Sequence, residues 1–377
     1  MPSSVPSIRV HSRATNLFRE ERMGHKRIGI LTSGGDCPGL NAVIRAVVHH
    51  AKLTYDWDVI GISHATQGLR SRPPKTVALT LHGMDIHGID PLLSMGGTFL
   101  GTVSGGDPFD EAVTEGYRAL ELDALIAIGG DGSLKIFRQL AQAGGWNLVA
   151  VPKTIDNDVA LTERSLGFDT AVNTVTEALF RLTYTAASHD RVMIVEVMGR
   201  EAGYLALHAG IAGGADVILI PEIPYSLDYV TRHIAELREK WGREFAMIVV
   251  AEGVKPNPGT VLNREKTSLD GIGHYIADQI KHSGLETNPE VRVTVLGHIQ
   301  RGGIPSALDR LVAATFGKAA VDLIAQEKYD RMVAWQNGQV VDVPLKEVID
   351  QSPSPVNPHS FLVQTARALG IYVGDLR

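Results

Sequence analysis

Short apolar, β-branched runs alternate with amphipathic stretches of helix length along most of the chain, and this alternation narrows the fold more than any other feature. Arg27–Thr32, Val59–Ser63, Ala124–Ile128, Leu148–Val151, Val192–Val197, Val217–Ile220, Ala246–Ala251 and Val291–Val295 read as buried strands. Leu40–Lys52, Ser133–Ala143, Thr170–Ala187, Glu201–Ala212, Leu227–Trp241, Gly271–Ser283 and Ala307–Gln326 read as helices. Strands with so few polar positions need cover on both faces, and the intervening helices can supply it. The pattern predicts an α/β fold with largely parallel sheets sandwiched by helices. Glycines cluster just after strands, at Gly34-Gly35, Gly129-Gly130 and Gly199. That puts backbone-lined turns at the carboxyl edge, where open α/β sheets hold their ligands.

Composition removes several function classes. A net charge of −6 gives no general attraction to nucleic acid or to an anionic membrane, so neither partner is expected. No apolar run approaches the roughly 18 residues a membrane helix needs. The single cysteine, Cys37, excludes an intramolecular disulfide and fits a reducing, cytoplasmic location. Residues 1–25 are rich in Ser, Pro and Arg and lack apolar periodicity, so they read as a flexible or interface-binding extension. Glu20 and Glu21 argue against an organelle transit peptide there.

Three strand-end loops carry the chemistry. Arg27–Thr32 runs into Ser33-Gly34-Gly35-Asp36-Cys37-Pro38-Gly39, where successive N–H groups can cradle an anion; a tight βα turn would look the same. Cys37 has no histidine partner implied nearby and is not read as a nucleophile. Ala124–Ile128 leads into Gly129-Gly130-Asp131-Gly132-Ser133. A carboxylate among glycines suits a Mg²⁺ that bridges phosphates, although an acid there can also cap a helix. Leu148–Val151 leads into Pro152-Lys153-Thr154-Ile155-Asp156-Asn157-Asp158. Two acids two residues apart, beside a lysine and a threonine, can divide the work of deprotonating a hydroxyl and contacting a metal. A bare Asp-Asn-Asp can equally be a turn or a cation loop. Neither a G-x-x-x-x-G-K-[ST] loop nor a G-x-G-x-x-G fingerprint is present.

Together the three loops resemble the 6-phosphofructokinase family, over about Lys26 to Leu323. Further matches are Gly96-Gly97-Thr98-Phe99-Leu100-Gly101, Val197-Met198-Gly199-Arg200, Ala251-Glu252-Gly253 and Leu296-Gly297-His298-Ile299-Gln300-Arg301-Gly302-Gly303. The resemblance implies two Rossmann-like domains. The first, nucleotide-binding, is expected over 26–167 and completed by about 300–350; the second, sugar-phosphate-binding, over 168–299 and completed by 351–377.

The activity implied is Mg²⁺-dependent phosphorylation of fructose 6-phosphate at its 1-hydroxyl. Asp156 is then the base and Asp158 its support, Thr154 lies near the reacting phosphoryl group, and Lys153 and Arg200 offset charge. Gly34, Gly35, Asp131, Gly132 and Ser133 handle the phosphates of ATP, with Asp131 on the metal. Met198, Gly199, Arg200 and Glu252 contact the sugar. His298 and Arg301 clamp the 6-phosphate, with Arg191 and Arg292 reaching in from a neighbouring subunit; this implies a homotetramer with shared sites.

The phosphoryl donor is less evenly marked. Gly132 resembles ATP users, whereas Lys153 stands where pyrophosphate users have lysine; an aspartate at the first position excludes ATP sterically and by like charge, so Gly132 favours ATP. Pyrophosphate as donor remains an alternative, as does a non-catalytic sugar-phosphate sensor. Ser104 replaces an arginine found in many bacterial relatives, and Lys153 is a candidate to compensate. Arg45 matches a basic effector-site position, but the next such position is His49, a departure from the basic pattern of the familiar bacterial regulatory site.

Overall fold

A computed structural model of the chain describes residues 24–81, 90–107, 110–256, 264–283 and 289–375. The expected N-terminal extension lies outside that range except for Gly24 and His25.

The first half alternates β1 (Arg27–Thr32), α1 (Leu40–Tyr55), β2 (Asp58–Ile62), α2 (Ala65–Arg70), β3 (Thr76–Leu79), α3 (Glu111–Ala119), β4 (Ala124–Gly129), α4 (Asp131–Gly144) and β5 (Leu148–Pro152). The long α5 (Phe168–Ser188) leads to β6 (Arg191–Val197), α6 (Tyr204–Ala212), β7 (Val217–Leu219), α7 (Leu227–Trp241), β8 (Ala246–Ala251), α8 (Arg264–Lys281) and β9 (Glu290–Val295). α9 (Ala307–Ala325), β10 (Arg331–Gln336), β11 (Gln339–Pro344), α10 (Leu345–Gln351) and α11 (Phe361–Ala368) follow.

Among the described residues the strands form two sheets, ordered β11-β10-β5-β4-β1-β2-β3 and β7-β8-β6-β9. The second is parallel throughout. The first is parallel except at its two edges, β3 and β11. The α/β class with largely parallel sheets is the one the sequence predicts.

Period-two geometry explains why the central strands look uniformly apolar. Ile126 and Ile128 enter the core cluster shared with α1, α5 and α9. Leu125 and Ala127 enter the cluster on the opposite face, with Leu134 and Phe137 of α4. α1 buries Leu40, Val43, Ile44, Val47, Val48 and Ala51, an i, i+3, i+4, i+7 stripe that seats it on the sheet. The shared cluster runs on into Val195, Ile218 and Val249, so one hydrophobic core spans both sheets.

Several elements differ from the sequence reading. α6 starts at Tyr204 rather than Glu201, because Arg200 takes a positive φ of 47° and residues 199–202 close a turn through Ala202 N–H to Gly199 O at 2.7 Å. α8 is interrupted at Gly271 (φ 77°, ψ 171°). β3, β10, β11, α2, α3, α10 and α11 have no counterpart in that reading. β10 and β11 extend the first sheet beside β5. The chain then crosses to the second sheet, where Tyr372 bridges Val217. Among the described residues no helix is long and apolar enough to cross a membrane.

Candidate active site

Strand register assembles the site. Thr32 pairs with Ile128 and Ile128 with Val151, so β1, β4 and β5 end side by side and release their three loops from one edge. In the second sheet Val197 pairs with Ala251 and Glu196 with Val295, which brings Met198–Arg200, Glu252 and the 297–301 turn to one edge too. Between the edges lies an open cleft.

Its walls carry Gly34, Gly35, Asp131, Gly132, Ser133, Lys153, Thr154, Asp156, Asp158, Arg200 and Arg301, each singled out from the sequence. Ser104, Gly105, Gly130 and Ile136 complete them.

The first loop is shaped by close approach. Gly34 has φ 85°, and a Cβ on Gly35 would lie 2.5 Å from Arg301 Nη1. Arg301 donates from Nη1 to Asp36 O at 3.2 Å, so the guanidinium crosses from the second sheet's edge to the first. Lys153, only 4 % exposed, donates its ammonium to Gly35 O. Burial holds its pKa below the ordinary lysine value. Lys153 thus props the Gly34-Gly35 loop. Cys37 is fully buried against Leu166 O and its thiol is pushed up by burial, in keeping with an inert side chain. Asn41, also fully buried, donates to the carbonyls of Met95, Gly96 and Gly97 and accepts from Phe99 N–H at 2.6 Å, which pins the Gly-Gly-Thr-Phe loop.

The acids sit on a loop folded around Asn157. That residue adopts φ 53°, accepts from Ser165 N–H at 2.8 Å and donates to Glu163 O at 3.2 Å. An asparagine tolerates the left-handed conformation, and the flanking acids turn together into the cleft. Asp156 is 4 % exposed and its Oδ1 is buried with no hydrogen-bond partner. Burial raises its pKa, against the pull of Arg301, Arg200 and Lys153. Asp158 is pushed up to about 6 by burial and by the charges of Asp156 and Asp131. A carboxylate whose pKa is raised toward neutrality has the properties of a proton acceptor.

At the second sheet's edge, Arg200 N–H donates to Glu252 Oε1 at 3.1 Å. A Cβ on Gly253 would lie 1.6 Å from Arg200 O, so that turn fits only against glycine. Met198 N–H donates to Oε1 of the fully buried Gln300, whose amide reaches Gly297 O at 2.8 Å. Gln300 has no role assigned from the sequence, although it lies inside the 296–303 motif. His298 is exposed on the same turn as Arg301 and does not line the cleft. Arg191 and Arg292 are not brought in. Both pair with Glu290 at the amino edge of the second sheet, about 20 Å along β6 from Val197. Arg45 pairs with Asp90 at 2.6 Å, and His49 lies 3.6 Å from the same carboxylate, well away from the cleft.

Residues present also fit a magnesium ion. No cluster of three or more metal-binding side chains occurs among the described residues. Mg²⁺ at phosphate sites, however, needs only one or two carboxylates, with phosphate and water for the rest. The mutual repulsion of Asp131, Asp156 and Asp158 shows the excess negative charge that such a cation offsets.

Comparison with known proteins gives a single answer. The sequence profile of the Phosphofructokinase family matches residues 27–324. ATP-dependent 6-phosphofructokinase 2 of Nostoc sp. is 65% identical over 357 residues, covering 93% of this chain and 99% of that protein. The ATP-dependent 6-phosphofructokinase of Thermosynechococcus vestitus is 60% identical, covering 93% of each. Among solved structures, phosphofructokinase from Saccharomyces cerevisiae superimposes with a TM-score of 0.72 at 30% identity, over 92% of this chain and 47% of that one. A pyrophosphate-dependent phosphofructokinase from Nitrosospira multiformis gives 0.77 at 21% identity, over 93% of each chain, a likeness of fold.

Proposed function

The chain belongs to the phosphofructokinase family, and we propose that it phosphorylates fructose 6-phosphate at the 1-hydroxyl with ATP, giving fructose 1,6-bisphosphate and ADP. The observation that carries this reading is Asp156, whose unpartnered Oδ1 lies buried in the cleft that the phosphate loops, Lys153, Arg200 and Arg301 line. A buried acceptor left without a donor is ready for a hydroxyl proton.

ATP lies along Gly34-Gly35 and the start of α4, where N–H groups and the helix dipole favour phosphate. Fructose 6-phosphate lies toward Met198, Gly199, Glu252, His298 and Arg301. Asp156 accepts the hydroxyl proton, Asp158 and Thr154 orient the reacting groups, and Arg200 and Lys153 offset developing charge. Asp131 is the residue that would hold Mg²⁺, with phosphate and water for the rest of its shell, and the ion when bound would supply charge neutralisation on the transferring group. Positioning and electrostatics, with no covalent intermediate, carry the rate.

One feature favours ATP over pyrophosphate. A Cβ on Gly132 would meet nothing within 4 Å, so the space beyond the terminal phosphates is open. Lys153 is occupied with Gly35 O, which gives the lysine a supporting role under either donor. Initial rates with fructose 6-phosphate and Mg²⁺, run in parallel with ATP and with pyrophosphate, test the reading. Turnover with ATP is expected; turnover with pyrophosphate alone would reverse the donor assignment, and silence with both would favour the sensor.

Lys153→Ala should lower kcat about 10–100-fold, the loss of a charged hydrogen bond under the phosphate loop. Normal turnover in that variant would remove Lys153 as the compensation for Ser104.

A homotetramer acting in the cytoplasm completes the proposal. Arg191 and Arg292, too far from their own cleft, would serve a neighbour's. Large exposed apolar side chains support such an assembly, among them Phe180 and Tyr184 on α5, Ile299, Ile304 and Leu311.

A further inference from the structure

Asp156 and Asp158 belong to a loop of the first sheet, whereas Arg200 belongs to a turn of the second. Useful chemistry between them requires the two edges to be held in register, since a misplacement of about 1 Å can cost on the order of 10²-fold in rate. Residues 352–356, between α10 and α11, touch both sides.

On the acid side, Ser352 Oγ accepts from Ala160 N–H at 2.9 Å, and Ser354 N–H donates to Asp158 O at 2.7 Å. These bonds bracket Val159, which is 1 % exposed, and fix the backbone that carries Asp158. On the other side, Tyr204 donates its hydroxyl to Pro355 O at 3.0 Å. Val356 N–H donates to Glu222 Oε1 at 2.8 Å, and the same oxygen accepts from Gly203 N–H at 2.9 Å. Gly203 and Tyr204 directly follow the Arg200 turn. One oxygen of Glu222 therefore joins the segment to the turn. Burial keeps the Tyr204 phenol above its ordinary range, so it stays a donor. Val356 itself is 2 % exposed.

We propose that the 352–356 segment is a strap that positions the Asp156/Asp158 loop against the Arg200 turn, with Ser352, Tyr204 and Glu222 as positioning residues for phosphoryl transfer. The strap touches neither substrate. It sets the distance between the proton acceptor and the cation on which the transferring group rests, so it acts on kcat rather than on binding. This role rests on the proposed reaction.

The test is steady-state kinetics on the full chain for Ser352→Ala, Tyr204→Phe, the double variant and Ser352→Thr, with wild type alongside. Each single variant is expected to lose about 5–20-fold in kcat with KM for both substrates within about twofold, the size of one net hydrogen bond read in the transition state. The double variant should fall little further than the weaker single, because both bonds hold one segment. Ser352→Thr, which keeps the hydroxyl, should return to within about twofold of wild type. A kcat unchanged in Ser352→Ala and Tyr204→Phe, even with a lower Tm, would reduce the strap to a stability element and overturn the proposal. So would losses confined to KM, or a Ser352→Thr variant as slow as Ser352→Ala. A wild type silent with fructose 6-phosphate and ATP would instead overturn the proposed reaction, and the strap's catalytic role with it.

Discussion

Asp156→Asn is expected to lower kcat for fructose 6-phosphate with ATP by about 10²–10⁴-fold, the range of general-base catalysis, while KM stays near wild type. The same substitution should raise thermal stability. The carboxylate is buried, one oxygen has no partner, and burial outweighs the attraction of Arg301, Arg200 and Lys153 so that its pKa is raised in the fold. A folded-state pKa above the unfolded value means that the native protein binds the proton more tightly. Stability is therefore lost as pH rises from the unfolded carboxylate pKa through the folded one. Asparagine carries no charge and removes that loss. Tm should exceed wild type near pH 7, and the difference should shrink in acid, where Asp156 is protonated in both states. Thermal scans at both pH values, beside kinetics, check this. A kcat within tenfold of wild type would disqualify Asp156 as the base, and a lower Tm would show that its charge is compensated.

Strand ends were the legible part of this protein. β1 and β8 match the sequence reading at both ends, and β4 and β5 extend one residue further, because buried parallel strands leave apolar runs with abrupt boundaries. The loops after them carry most of the cleft, so reading the strand ends read the site. What escaped has weaker local signals. β3 is a four-residue edge strand whose positions are alternately exposed and half-buried. β10 and β11 form a hairpin around Asn337 (φ 51°) and Gly338 (φ 75°), an Asn-Gly turn that the sequence displays plainly and the reading passed over. Long-range placement is harder still. Nothing near Ser352 or Glu222 announces a partner on another sheet, and Gln300 needed its burial beneath Met198 to show its role. The amino-edge position of Arg191 and Arg292 follows from β6 and β9 lying in register, which no single segment encodes.

Gly132→Asp is the other substitution with a large expected effect, and its value lies in separating fold from donor. Gly132 is in the first turn of α4, and a Cβ there meets nothing within 4 Å, so an added side chain collides with no protein atom. Acidic residues near a helix N-terminus are favourable by about 0.3–1 kcal/mol, so Tm should hold or rise slightly. In the cleft the consequence is opposite. A carboxylate beside Asp131 faces the phosphate chain, and juxtaposed like charges cost several kcal/mol, so kcat/KM for ATP should fall about 10²–10³-fold. Pyrophosphate ends before the nucleotide's α-phosphate, and any turnover with it should suffer less, which makes the ratio of the two donors the sensitive readout. If Gly132→Asp instead used ATP within about fivefold of wild type while remaining folded, α4's first turn would not face the nucleotide. The preference for ATP would then rest on the relatives alone, and Lys153 would return as the residue to interrogate for donor choice.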